Sequence, residues 1–595
     1  MKDIITVDFE TEGIQSRPEY PPQPVGLAIR DEQGHSQYFS WGHPENNNCS
    51  EMQGQAALAR YWQNENCELL FHNAAFDYAV ATEKWGFKEL PWHRLHDTMF
   101  QLYLYDPHAA DLALKSSSER IMSLPPEERD ELQEWIETNV PGITKRKNPW
   151  GANICKAPGD LVGRYAIGDV DRTFALAEHL SPTISRMQEA YDRERELMPI
   201  LLDIERVGLR VDRESLEADL RIYQMAWDSL EEKLRAVLGD INLNSSDQLG
   251  QALLINDIVD SLPTTSSGKF SVTAEVLEQQ IKPEHAGLLV LLRYRGALKT
   301  CLNTFLGPWL EHSSSDGRLH TRWHQVRNPE GRGTRTGRIA SSGPNLTNVP
   351  NEFSVPVPQG FPPLPRMRKY LLPEEGHRWL KRDYSSQEIR VAAHFEDGEL
   401  MRRFQEDPNF DPHAMAAEKI QTESGLDVDR GTAKAVAFSL IYGTGITGLS
   451  TRLQVTPAVA AQIKDAYLDA VPGVRQLMTD VKSKGSRGES VRTTGGRDIR
   501  AEPPKDGRSF AYKLLNHLIQ GSSADITKQA MIDYAKNADT GLLRVQVYDE
   551  INISAPVESA ESEMEILRET MESVPLDVKL LSEGYMGDNW LEADK

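Results

Sequence analysis

Asp549 and Glu550 stand side by side in the segment Leu543 to Ser554, LRVQVYDEINIS, whose alternation predicts a strand, a tight turn and a second strand with both acids at the tip. Far upstream, Asp383 closes the apolar run that begins at Trp379, and an amphipathic helix carrying Glu388 and Arg390 is expected after it. Carboxylates delivered by separate strands of one sheet can clamp two divalent cations, the arrangement that supports in-line displacement at phosphorus. Between these segments Arg430, Lys434, Phe438 and Tyr442 recur every four residues and end at Gly443. Each such step drifts about 40° around an α-helix, so the four share one broad face. That face is cationic at its first end and aromatic at its second, which suits a triphosphate followed by a sugar and base.

A second acidic constellation lies at the N-terminus. The strand expected from Ile4 to Glu10 is apolar until it presents Asp8 and Glu10 on one face. Same-face acids on a buried strand are costly unless a cation compensates them; taken alone, the pair reads more simply as the start of an exposed edge strand. Leu69 to Asp77 reads as another apolar strand running into Asn73 and Asp77, and Tyr165 and Asp169 lie one helical turn apart. Asp97 and Asp171, near these motifs, are read as solvated neighbours and left out.

The ordered trio DxE (Asp8, Glu10), NxxFD (Asn73 to Asp77) and YxxxD (Tyr165, Asp169) resembles the three motifs of proofreading DnaQ-like exonucleases. Further along, the run from Asp383 to Arg390 resembles motif A of family A DNA polymerases, the bacterial polymerase I group. Arg430-xxx-Lys434-xxx-Phe438-xxx-Tyr442-Gly443 is similar to their motif B, and Val547 to Glu550 to motif C. Thr336 to Pro350 and Ile519 to Asp525 extend the likeness, which spans nearly the whole chain.

The resemblance implies an RNase H-like 3′-5′ exonuclease domain over 1–185 and a right-hand polymerase domain over 186–595. Within the latter it implies a thumb at about 197–310, a palm at about 311–410 and 517–595, and fingers at about 411–516. It implies that Asp8, Glu10, Asp77 and Asp169 hold two Mg²⁺ ions, with Mn²⁺ as a substitute, while Tyr165 and Glu10 orient the attacking water. Asp383 and Asp549 would bind the second metal pair, with Glu550 as a supporting acid. Arg430, Lys434 and His413 would grip the triphosphate, with Lys434 able to protonate the pyrophosphate. Phe438 would stack near the sugar, and Glu388, with Tyr442 beside it, would exclude a ribose 2′-hydroxyl. Arg338, Asn345, Asn516 and Gln520 would read the minor groove of a primer-template, whose acceptors occur in every base pair and so report geometry without sequence. By the same likeness, Phe438 implies discrimination against dideoxynucleotides, relaxed by Phe438→Tyr.

Three departures stand out. The usual motif C His is Tyr548, the usual Gln-Ile of motif A is Ser386-Gln387, and Thr347 replaces the usual Gln of the Asn-Leu-Gln-Asn run. The first puts primer-terminus positioning in question; the other two bear on fit.

The elements that must position these groups follow from the pattern. A stretch from Ile4 to about Leu180 alternates strands and helices, with surface insertions at Arg17 to Pro24 and Pro125 to Arg146. Arg186 to Leu310 is mostly helical, Phe353 to Pro365 with its five prolines is irregular, and a second α/β region follows. At 595 residues several packed units are expected. The net charge of -23 argues by itself against a nucleic-acid partner, but a local basic groove can bind phosphates on an acidic body. Arg318, Arg322, Arg327, Arg332, Arg335 and Arg338 against the single acid Glu330 form such a patch.

Four cysteines at 49, 67, 155 and 301 show no zinc or disulfide spacing, and no apolar run is long enough to span a bilayer. A soluble, cytoplasmic monomer is expected, without membrane contact, host-cytoplasmic if phage-encoded. Its expected partners are primer-template DNA and dNTPs, with a helicase, a single-strand-binding protein or a processivity factor as further candidates. Because the chain opens almost at the first exonuclease motif and Leu197 to Leu310 holds no large insertion, the layout resembles a bacteriophage replicative polymerase, with bacterial and organellar origins as alternatives. A single-subunit RNA polymerase fits less well, given Glu388 and the exonuclease trio. An exonuclease with an inactive second half is disfavoured by the intact Asp383, Asp549, Arg430 and Lys434.

Overall fold

The computed structural model describes residues 3–144, 148–327 and 331–594. Glu330 and Arg146, which figure in the sequence patterns above, lie outside them. Among the described residues no helix is long and apolar enough to cross a membrane.

The first unit is a five-stranded sheet in the order Ser36–Ser40, Pro24–Arg30, Asp3–Thr11, Cys67–Phe71, Leu95–Asp97. The first three strands are antiparallel, and the last two run parallel to Asp3–Thr11 and to each other. The 26-residue helix Gly159–Ile184 crosses this sheet. Its Val162, Ala166 and Val170 recur at helical spacing and are fully buried with Ala28 and Tyr38. That orientation fixes the adjoining face, which carries Tyr165 and Asp169, over strand Asp3–Thr11.

Helix Gln188–Val207 joins the two units and belongs to both cores. Met198 and Leu202 pack into the N-terminal core, whereas Leu197, Leu201 and Ile204 pack into the C-terminal one. A buried polar network adds to this joint. The Arg497 guanidinium pairs with Asp525 at 2.8 Å and donates to the Tyr103 hydroxyl of the first unit at 2.8 Å. The Lys528 ammonium pairs with Glu194 at 2.6 Å and donates to the Gln325 carbonyl. Removing one partner of such a buried pair typically costs about 3–5 kcal/mol, because the other charge is left uncompensated.

The C-terminal unit opens with long helices, Arg213–Leu238 and Ala286–Thr300 among them, and centres on a four-stranded antiparallel sheet. Its order is Leu542–Val547, Glu550–Pro556, His377–Tyr384, Ser582–Gly587. Helices Leu514–Asn537 and Ala560–Glu572 pack together, and the helices between Gln387 and Ser486 pack on one another and on Leu514–Asn537. The strand, turn and strand expected around Asp549 are present, as is the irregular segment from Phe353 to Pro365.

Candidate active sites

In the N-terminal unit, Asp8 and Glu10 project from one strand and Asp169 from the crossing helix, with carboxylate oxygens within 4.8 Å of one another. Asp77 corrects the expectation of a strand that runs into it. The strand stops at Phe71, and Asp77 sits in the first turn of helix Ala74–Ala79. The chain turns there because Asn73 adopts a left-handed φ of 70°, a conformation Asn tolerates better than most residues. The buried Asp77 carboxylate accepts the Phe9 N–H at 2.9 Å, which docks it against the backbone between Asp8 and Glu10.

The electrostatics are severe. Burial, then repulsion from Asp169, pushes the Asp8 carboxyl up to about 8. Burial and the neighbouring carboxylates hold Glu10 well above its usual range, and burial followed by Asp8 does the same to Asp77. Burial also raises Asp169 against the pull of Lys115. No sequence motif points to Lys115. From helix Leu114–Met122 its ammonium donates to both Asp169 oxygens, one at 2.6 Å, and lies 3.6 Å from the centre of the Tyr165 ring. One ammonium against four crowded carboxylates, three of them buried and Asp8 half-buried, leaves an excess of negative charge that calls for protons or cations. An all-oxygen, anionic donor set of this kind fits hard divalent ions.

Asp97 overturns the expectation of a solvated neighbour. It is 1% exposed, accepts the backbone N–H groups of Asn73, Ala74 and Met99, and caps helix Thr98–Tyr105. It therefore holds the turn that aims Asp77. Asp171 is half exposed and lies near Arg30 at 3.4 Å.

In the C-terminal unit, Asp383 and Asp549 line one cavity of about 450 Å³ together with Glu388, Lys434, Phe438 and Tyr442. Asp383, one residue before the end of its strand, is in register with Glu550, and the Tyr384 N–H donates to the Asp549 carbonyl at 3.2 Å, which pins the turn beside Asp383. The turn itself is strained. Tyr548 has a φ of 57°, unusual for an aromatic residue, and lies under the Arg338 guanidinium at 5.2 Å. Burial pushes the Asp549 carboxyl up to about 6.

Glu550 is not among the residues lining that cavity. Its carboxylate accepts from Trp590 Nε1 at 3.0 Å and Asn552 Nδ2 at 2.7 Å, and pairs with Lys381 at 3.1 Å. It anchors the sheet behind Asp383, a positioning role.

The expected helix carries Arg430 to Ile441, with Tyr442 as its C-cap and Gly443 at φ 67° just beyond. Lys434, Phe438 and Tyr442 share the cavity, as their spacing requires. Phe438 lies 5.9 Å from Tyr442 and 6.2 Å from the buried His413, whose imidazole burial pushes down to about 4. Arg430 is outside the cavity lining; it is largely exposed and pairs with Asp411 at 2.5 Å.

Glu388 accepts the Tyr442 hydroxyl at 2.9 Å, which sets the two side by side as the resemblance implies, and it also pairs with Arg338, a contact the sequence motifs did not disclose. Asn345 is exposed; Asn516 and Gln520 are half-buried, one turn apart on helix Leu514–Asn537.

The arginine-rich patch is split, half of it half-buried and engaged by acceptors and half of it exposed, so only part of the expected basic surface is present. Arg318 forms a bidentate pair with Glu374, Arg327 donates to the Ala109 and Ala110 carbonyls, and Arg338 is taken by Glu388. Arg322, Arg332 and Arg335 are exposed, the last 3.5 Å from Glu502.

Comparison with known proteins gives the family. The model of DNA polymerase family A matches residues 213–592, and that of a 3′-5′ exonuclease matches residues 2–185. The chain is 31% identical over 471 residues to DNA polymerase I of Chloroflexus aurantiacus, covering 74% of this chain and 47% of that protein. It is 33% identical over 446 residues to the thermostable DNA polymerase I of Thermus aquaticus, covering 70% of this chain and 51% of that one. The chain thus spans about half the length of the curated relatives it matches. Its fold is similar, with a TM-score of 0.77 at 23% identity, to the POL domain of Pol1 from M. smegmatis in complex with DNA primer-template and dNTP. That likeness covers 99% of this chain and 95% of the other. The chain belongs to DNA polymerase family A, with a 3′-5′ exonuclease domain ahead of the polymerase domain.

Proposed function

We propose that the chain is a template-directed DNA polymerase that extends a primer 3′ end with dNTPs and removes mispaired ends through a separate 3′-5′ exonuclease site. The observation that carries the reading is the convergence of Asp383 and Asp549 on one cavity with Lys434, Phe438 and Tyr442. Asp383 and Asp549 would hold two Mg²⁺ ions, which supply a more acidic primer 3′-hydroxyl and neutralise charge on the leaving pyrophosphate. Lys434 and, after leaving Asp411, Arg430 would bind the triphosphate, with His413 beside them. Phe438 would pack against the sugar, and the Glu388 carboxylate would occupy the space a 2′-hydroxyl needs. Arg338, Asn345, Asn516 and Gln520 would face the primer-template minor groove.

In the second site Asp8, Glu10, Asp77 and Asp169 would hold a further metal pair, and Tyr165 would orient the attacking water. Lys115 offsets part of the carboxylate charge. The partition into an exonuclease domain at 1–185 and a polymerase domain at 186–595, with the thumb, palm and fingers bounded as the resemblance implies, belongs to this reading. So does action in the cytoplasm on primer-template DNA and dNTPs. The relatives named above are bacterial, so the phage origin expected from the layout draws no support from them, and the reading is confined to the reaction.

Single-nucleotide addition to a matched primer-template with Mg²⁺ tests it. The wild-type chain is expected to add the templated dNTP, and Asp549→Asn to lose that addition by about 10³-fold, the scale on which loss of transition-state charge stabilisation is felt. Equal addition by both proteins would remove the assignment.

A further inference from the structure

Away from both carboxylate sites, three residues from distant parts of the chain meet where the two units touch. His108 lies in the loop after helix Thr98–Tyr105, Glu502 in the loop after strand Asp498–Ile499, and His517 in the first turn of helix Leu514–Asn537. Each offers a ligand atom within 4.8 Å of the other two. The imidazole rings are 5.1 Å apart at 33°, and His517 Nε2 is 3.8 Å from a Glu502 oxygen.

The hydrogen bonding is incomplete in an informative way. His108 Nε2–H donates to the Arg500 carbonyl at 2.9 Å, which leaves Nδ1 as the atom with a free lone pair. That Nδ1 is buried without a hydrogen-bond partner; His517, only 6% exposed, turns Nε2 toward Glu502, and its other ring nitrogen, Nδ1, is buried without a partner as well. Buried polar atoms without partners are uncommon and call for a water or an ion. An imidazole fixed by a carbonyl on one nitrogen and bare on the other is also the arrangement that metal-binding histidines use.

We propose that His108, Glu502 and His517 form a binding site for a divalent transition-metal cation of the Zn²⁺ class, which staples the exonuclease unit to helix Leu514–Asn537. Two imidazole nitrogens and one carboxylate oxygen make a three-ligand set with a fourth position for water. Imidazole selects such ions over Mg²⁺, which takes oxygen ligands. With Zn–N distances of about 2.0–2.1 Å, tetrahedral ligands lie about 3.3 Å apart, so the present spacing closes by side-chain rotation. Lys513, 3.3 Å from both Glu502 oxygens, and Arg335 at 3.5 Å compete for the carboxylate, so the two histidines must supply most of the affinity. Asn516 and Gln520 lie on the same helix, so an ion here would also steady that part of the proposed primer-template surface.

The test is calorimetric titration of the metal-stripped chain with ZnCl₂ in saturating Mg²⁺, which keeps the carboxylate sites filled, beside His108→Gln and His517→Gln. A Co²⁺ titration read by d–d absorption accompanies it. The expected result is one Zn²⁺ site in the wild type that each variant weakens by about tenfold or more, tetrahedral-type Co²⁺ bands that each variant loses, and a Zn²⁺-induced rise in Tm confined to the wild type. Zn²⁺ affinity unchanged in both variants, or Co²⁺ bands that persist in both, would overturn the assignment. Should His517→Gln fail to fold, His108→Gln, on a half-exposed loop, is sufficient by itself to support or overturn the site.

Discussion

The two carboxylate sites solve opposite problems. The N-terminal one crowds Asp8, Glu10, Asp77 and Asp169 together, all but Asp8 buried, and offsets them with Lys115, so its ligands are held together at an electrostatic cost. The C-terminal one sets Asp383 and Asp549 in an open cavity of about 450 Å³ and keeps the surrounding charges occupied with each other, Glu388 with Arg338 and Arg430 with Asp411. On the proposed function, a pocket that receives a frayed strand end would need little beyond its metals. On the same reading, a cavity that admits and releases a different nucleotide each cycle would need partners that can be exchanged. Pre-assembly and exchange thus leave different electrostatic signatures in one chain.

The largest expected effect that separates the sites is at Glu388. Glu388→Ala removes the carboxylate that takes both Arg338 and Tyr442, and ribonucleotide incorporation relative to dNTP should rise by about 10²-fold or more, the scale of losing a polar steric discriminator. Exonuclease rate on a mismatched end should stay unchanged. Primer-extension kinetics with matched rNTP and dNTP decide this, and an unaltered ratio would free Glu388 of that role.

Lys115→Met probes the other site. With the ammonium gone, Asp169 loses its buried partner, and in chelator the N-terminal unit should lose about 3 kcal/mol, less whatever protonation of Asp169 recovers. Added Mg²⁺ should restore most of the Tm, because the ions replace the missing charge. A Tm that is unaffected in chelator would show that Lys115 does not offset the cluster.

Acidity separates the sites more gently. Asp8 in the folded chain ionises at about 8, far above its unfolded value of about 4, so the folded state holds the extra proton. Its contribution to metal-free stability is complete below about pH 4 and is lost as pH rises through about 8. For Asp549, held at about 6, the corresponding loss is over by about pH 7. Thermal scans in chelator between pH 6.5 and 8.5 should therefore show a falling Tm that Asp8→Asn flattens and Asp549→Asn does not, and Mg²⁺ should flatten it as well. A slope indifferent to Asp8 would place the repulsion elsewhere.

Much of this was legible because short motifs name residue types whose spacing the secondary structure enforces. Tyr165 and Asp169 share a helix face, and Lys434, Phe438 and Tyr442 share a cavity, for the same periodic reason. What stayed hidden depends on tertiary approach. Nothing in the sequence around Lys115 announces that its helix swings the ammonium onto Asp169. Asp97 looks solvated in sequence because a capping acid and a surface acid read alike until the turn it holds is known. The arginine patch looks one-signed because Glu374 and Glu388, which take Arg318 and Arg338, come from later in the chain. Arg322, Arg332 and Arg335 are the exposed members, and the last two give the smallest expected effect. Replacing both with Ser should reduce the slope of log binding constant against log[salt] by about 1–2, in step with the phosphates released. An unchanged slope would assign them to the solvated surface.

If one chain holds two separable metal-dependent sites, a single gel can part them. A 5′-labelled primer ending in a mismatch is annealed to a longer template and incubated with Mg²⁺, with and without the four dNTPs, beside Asp8→Ala and Asp383→Ala; a matched primer runs alongside. Shortening without dNTPs should be abolished by Asp8→Ala and spared by Asp383→Ala, and extension of the matched primer with dNTPs should show the reverse. Loss of both activities in either variant, or of neither, would contradict two separable sites.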